Sequence, residues 1–260
     1  MTNHTISANT LFHFTKSIDN LRNILTHTFS PRYCLEHIDN ISKEAIDLAI
    51  PMVCFCDIPL SQIKDHVNTY GEYAIGLSKE WAMSNGISPV FYLHYGSLTN
   101  EMINKLFKAS YNLDKVNSNI KNELTASNSM NYFQFLFFCK SYNGRMWRNG
   151  ILEQNKTFYD EREWRFIPNL AELDSLGANM VISKDIHENV QLRNRYNRDI
   201  ENIKIKFSPK DIKYIIIEKE QERLKMIRII EQIKGSDYSM DDLKELNSKI
   251  ISVEQIREDF

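Results

Sequence analysis

The sequence predicts an α+β fold built as one domain across residues 1–260, and three observations carry that reading. Short runs with strand character recur early in the chain and again near 158–218. Segments with helical spacing follow and interrupt them. No internal repeat and no Gly/Ser/Pro-rich linker divides the chain, whose 42% apolar content is enough for a substantial core.

Thr10–Thr15 alternates and is rich in β-formers, so it predicts a strand. A helix follows to His27, because Ser17 can cap it, Asp19 suits its positive end, and Ile18, Leu21, Ile24 and Leu25 keep helical spacing. Phe29-Ser30-Pro31 breaks it. Pro51 is expected to end whatever precedes it, and Met52–Cys56 reads as a buried strand. Leu60–Thr69 predicts a short helix and Tyr73–Leu77 a further strand. Ser78 then caps a helical turn that stops at Gly86. Pro89–His94 predicts a fourth strand. Residues 97–157 are rich in Asn, Ser and Lys and carry the stripes Met102/Ile103/Leu106 and Tyr132/Phe133/Leu136/Phe137, so they predict a helical insertion. Strand patterns return at Phe158–Pro168, at Ile203/Ile205/Phe207 and at Tyr214–Glu218. The tail, about 220–260, predicts helices, with capping-box patterns at Ser239-x-x-Asp242 and Ser252-x-x-Gln255.

Composition removes several function classes. No apolar stretch approaches the roughly 20 residues of a membrane span. The N-terminus lacks the basic and apolar regions of a signal peptide, and four cysteines do not make a disulfide framework, so a reducing cytoplasm is the expected compartment. The net charge of −2 gives no global nucleic-acid signal, although it leaves room for a local basic patch. The Gly-rich, Walker, nucleophile-elbow and His-Glu-x-x-His motifs are all missing. Cys54-x-Cys56 lies in an apolar strand, where thiols behave as small hydrophobes, so no metal is expected.

The most informative segment is Tyr159-Asp160-Glu161-Arg162-Glu163-Trp164-Arg165-Phe166. Read as a strand, it places Glu161, Glu163 and Arg165 on one face and Arg162, Trp164 and Phe166 on the other. That polar face is either an acid/base or hydroxyl-binding site at a cleft, or the solvated side of an edge strand. Lys140, after the aromatic stripe, is either a solvated helix end or a cation aimed at the same site. His13, between Phe12 and Phe14, is either a structural strand residue or a site residue.

Leu11-Phe12-His13-Phe14-Thr15, Leu21-x-x-Ile24-Leu25, Ile50-Pro-Met-Val-Cys-Phe-Cys-Asp-Ile-Pro-Leu60-Ser61, His66, Tyr70-Gly71 and Tyr73–Trp81 resemble the abortive-infection AbiGi family of phage-defence proteins, which are labelled antitoxins. The resemblance is strong over roughly 10–95 and moderate over 158–218. More distantly, the layout is similar to the ADP-ribosyltransferase superfamily, which implies a split, bent β-core binding NAD. On that resemblance, Glu163 or Glu161 would hold the ribose and stabilise the cationic transition state. His13 and Thr15 would contact NAD, Tyr70 or Tyr73 would stack on nicotinamide, and Arg165 would pair with a carboxylate or phosphate. The chain departs from arginine-modifying members in lacking Ser-Thr-Ser on a middle strand, where Asp57 and Ser61 stand instead. The implied activity is NAD cleavage, either with ADP-ribose transfer to a protein or nucleic-acid acceptor or as NAD hydrolysis. The alternative is a non-catalytic antitoxin or sensor that binds a protein partner encoded by a neighbouring gene.

Overall fold

The computed structural model describes residues 8–38, 46–106, 131–148, 151–235 and 238–259. A mixed sheet with the strand order β13-β12-β4-β1-β3-β10-β5 organises the molecule. Its strands are β1 (Thr10–Thr15), β3 (Ile46–Cys56), β4 (Tyr73–Ser78), β5 (Ser88–Pro89), β10 (Glu163–Phe166), β12 (Ile212–Ile217) and β13 (Ile250–Ser252). Two further strands, β2 (Arg32–Ile38) and β11 (Ile182–Ser183), pair with the first half of β3. The α+β expectation is met.

Helices cover both faces of this sheet. On one face, Leu11, Phe55, Ile75, Leu77 and Ile215 pack with Leu21 and Leu25 of helix Ile18–His27, and with Met226, Ile229 and Ile230 of helix Arg223–Lys234. On the other, Phe12, Cys56, Ala74 and Ile216 pack with Val67 of helix Lys64–Tyr70 and with Val253 and Ile256 of helix Val253–Asp259. The alternation within β1, β3 and β4 is therefore an alternation between two cores. The predicted caps form as read. Ser17 accepts from the Asn20 amide, and Ser78 accepts from the Trp81 amide. Ser239 with Asp242 and Ser252 with Gln255 make reciprocal bonds.

Several expectations need correction. Pro51 does not end a segment, because β3 runs through it with Tyr33 of β2 as its neighbour. Pro89–His94 is split between two sheets, since β5 pairs with β10 whereas β6 (Phe91–Leu93) pairs in parallel with β7 (Cys139–Ser141). The insertion is helical only in part. Helical backbone spans 98–106 and 131–136, but β7 and a hairpin of β8 (Asn143–Arg148) and β9 (Ile151–Thr157) fill its second half. Its stretches 107–130 and 149–150 lie outside the described residues. Ile203 and Ile205 are buried, yet 203–207 forms no strand beyond one isolated bridge from Phe29 to Ile205. The tail also contains a strand, β13, which pairs in parallel with β12.

Phe158–Pro168 is not one strand either. A 3-10 turn, Phe158–Glu161, precedes β10, and Arg162 joins them with a left-handed backbone at φ 44°. β10 lies between β3 and β5, which removes the solvated-edge reading.

Candidate functional site

The acidic segment closes into a buried charge cluster. The left-handed turn at Arg162 brings Glu161 back beside Glu163, although the two belong to different elements. Lys140 of β7 bridges them, donating to Glu161 Oε2 at 2.9 Å and to Glu163 Oε2 at 2.7 Å. Its Nζ also lies 5.0 Å from the centroid of the Phe158 ring. Arg165, with no exposure at all, donates through Nε to Glu163 Oε1 at 2.6 Å. Its Nη1 donates to the Phe137 carbonyl at 2.8 Å, and its Nη2 to Glu36 Oε2 of β2 at 2.8 Å. Tyr70 donates to Glu161 Oε1 at 2.6 Å, and Tyr92 accepts from the Glu163 amide at 2.7 Å.

Electrostatics fix the charge states of this cluster. Burial alone would raise the pKa of Glu163, but Arg165 and Lys140 outweigh it and hold the carboxyl well below the ordinary range. Burial would likewise lower the pKa of Lys140, whereas Glu163, Glu36 and Glu161 push it well above its ordinary value. Burial and the Glu161 carboxylate both push the Tyr70 phenol up. Three carboxylates, two cations and two phenols thus saturate one another. Such a cluster clasps β10, β7, β2 and helix Lys64–Tyr70 together. Glu163 has both oxygens committed to cations and cannot take up a proton near neutrality. Glu161 and Glu163 are only 4% and 6% exposed, so a ligand could reach them only if the side chains that cover them moved aside.

His13, Thr15 and Tyr73 are not brought to that cluster. Phe12 and Glu163 both stand opposite Cys56, so Phe12, Cys56, Glu163 and Arg165 share one face of the sheet. His13 stands opposite Ile75, Thr15 stands opposite Tyr73, and these residues face the other way with Phe55. The sheet itself separates His13 from Glu163. Tyr73 is directed elsewhere again, donating to Glu222 at 2.9 Å and Glu218 at 3.2 Å.

His13 and Thr15 instead line an open cleft of about 1040 Å³. The ladder between β1 and β3 holds only the pair Phe12–Cys56. Beyond it the Cys54 carbonyl accepts a bond of 2.8 Å from His13 Nδ1. The His13 ring packs against Phe29 and Phe55, and burial lowers its pKa while the Cys54 bond opposes that shift. Helix Ile18–His27 forms one wall of the cleft and helix Val190–Asp199 the other.

Sequence reasoning missed Glu36, Tyr92 and the whole second wall of the cleft. Alternation along β2 could have paired Glu36 with Cys34 on one face. The Asn- and Arg-rich run at 190–199 was a signal of a polar helix. Lys140 resolves as the cation aimed at the acidic residues.

Residues 27–218 match the family described as "Putative abortive phage resistance protein AbiGi, antitoxin". The abortive phage resistance protein AbiGi of Lactococcus lactis subsp. cremoris is 34% identical over 250 residues, covering 89% of this chain and 99% of that protein. No solved structure matches the chain. The family match spans β2 to β12, the stretch that builds the charge cluster, the second cleft wall and most of the central sheet; the chain belongs to the AbiGi abortive phage resistance family.

Proposed function

We propose that this protein serves phage defence as a non-catalytic antitoxin that binds a protein toxin partner. The closure of the charge cluster carries this reading: its carboxylates are neutralised from within and face away from His13. The family description as an antitoxin supports it. A docking surface is also on offer. Phe91, Tyr95, Leu98 and Met102 are each more than half exposed around the start of the insertion, and the Phe91 ring leans on half-exposed Phe135 at 5.5 Å. Contiguous exposed apolar surface commonly marks protein–protein contact.

The test is co-purification with the product of the adjacent gene, with and without Phe91→Glu and Met102→Glu. A stoichiometric complex lost in the double variant, whose fold is checked by circular dichroism, supports the antitoxin reading. A complex unaffected by the double variant moves the interface elsewhere, and no complex at all weighs against a toxin partner.

ADP-ribosyl transfer from NAD is the second reading, and the position of His13 and Thr15 in the open cleft favours it. On this reading the cleft holds NAD in an ADP-ribosyltransferase-like core with His13 and Thr15 as its contacts, and Glu163 or Glu161, which lie on the opposite face of the sheet, reach it only through a rearrangement of the strands as well as of Lys140. Nicotinamide release by purified protein decides between the two. The antitoxin reading expects none, whereas release abolished by both Glu163→Gln and His13→Ala would establish the enzyme.

A further inference from the structure

We propose that the cleft on the His13 face holds a phosphate-bearing ligand of nucleotide size, gripped by Arg32 and Arg198. This goes beyond the antitoxin reading and shares its cleft with the NAD reading, to which it adds the groups that grip phosphate; it requires the ligand to be held, not broken.

Charge is the first observation. Arg32 opens β2, Arg198 lies in the last turn of helix Val190–Asp199, and both line the cleft. Both are exposed, and among the described residues neither guanidinium has a carboxylate partner. Lys204 adds a third cation, whose Nζ donates to the Ser30 hydroxyl at 2.7 Å. Glu201 is the single carboxylate of the lining. Three cations against one anion, on a chain of net charge −2, make a local positive field that draws in an anion. Guanidinium forks suit phosphate in particular, because they donate in pairs.

Hydrogen-bonding capacity is the second observation. The walls carry the amides of Asn20, Asn23, Asn194 and Asn197. Amides donate and accept at one end, which suits ribose hydroxyls and base edges as well as phosphate. Asn197 is already oriented, since its Oδ1 accepts from the Tyr33 amide at 2.9 Å and its NH₂ is left to donate.

The floor is the third. A carbonyl partner requires His13 Nδ1 to carry the proton, so Nε2 is presented as an acceptor. Thr28, at the turn between the wall and the floor, has φ 60° and ψ −172°, a backbone region that β-branched residues avoid. Its hydroxyl is tied to the Ile205 carbonyl, which holds the turn in that shape. The cleft volume of about 1040 Å³ is at the upper end for small-molecule sites.

A free nucleotide and the end of a nucleic-acid strand offer this same chemistry. The experiment is calorimetry at low salt with three probes: ATP, a single-stranded RNA octamer and inorganic phosphate. Saturable binding of ATP or the octamer is expected. Arg198→Ala and Arg32→Ala should each weaken it about tenfold, while Lys244→Ala, on the distant helix Met240–Ser248, should leave it unchanged. Tighter binding of ATP assigns the free nucleotide, and tighter binding of the octamer assigns the strand. Both arginines are exposed, so the variants are expected to fold, and unchanged thermal midpoints confirm it. Absence of binding by every probe overturns the proposal. So does binding that survives both arginine substitutions, or binding matched by a polyglutamate peptide. Nicotinamide release is read separately, so the outcome here leaves the choice between antitoxin and enzyme intact.

Discussion

At Arg165 a guanidinium without any solvent exposure is held by two carboxylates and one carbonyl. A buried ion of this kind persists only if every donor finds a partner, since desolvation otherwise exceeds the Coulombic gain. The spacing of Glu161, Glu163 and Arg165 in the sequence announced a compact polar surface, but not whether water or protein would satisfy it. Lys140 and Glu36 answered that question, and they lie 21 and 129 residues from their partners Glu161 and Arg165. The sign of the pH dependence follows. The folded pKa of Glu163 is depressed below its ordinary 4.5, so its contribution to stability is complete above that pH. It is lost as pH falls from 4.5 towards the folded value. The thermal midpoint should therefore drop progressively below pH 4.5, and Glu163→Gln should flatten that drop while lowering the midpoint near neutrality. A wild-type profile that stays level down to pH 3 would sink the assignment of a permanently ionised Glu163.

At the scale of elements, the helices were read most accurately because their signals are local. Ser17, Ser78 and Ser239 sit beside the amides they cap, and a capping bond depends on no distant residue. Strand limits depend on partners, and here local reading failed. Pro51 can stand within β3, a residue that lacks a donor but still pairs with Tyr33 as a neighbour. The break at Arg162 had no local warning, because its left-handed backbone is imposed by the turn that returns Glu161 to Lys140. Gly71 is a clearer case of a residue chosen for its backbone. It has φ 123°, and a Cβ there would lie 2.2 Å from the carbonyl oxygen of Thr15. Gly71→Ala should destabilise the fold by at least about 2 kcal/mol, combining backbone strain with a clash that neither chain can relieve cheaply. Chemical denaturation measures it, and a loss below about 0.5 kcal/mol, the range of ordinary surface changes, would contradict this geometry.

Across the whole molecule, the sheet is the organising fact, because it places His13 and Glu163 on opposite faces. Their effects on stability should therefore be independent. In a double-mutant cycle of His13→Ala and Glu163→Gln, coupling should stay below about 0.5 kcal/mol; a larger value would mean that the two act in one site. The sequence by itself determined the α+β class, the helix caps, and the residues that carry charge at 161–165. It also carried the family resemblance that the match over residues 27–218 then established. Those properties are written in local periodicity and residue type. The tertiary structure alone decided that the acidic cluster is closed by Lys140 and that a separate cleft opens beside His13. Register and strand order set which side chains share a face, and they arise from pairings between segments far apart in the chain, which alternation along any one strand does not encode.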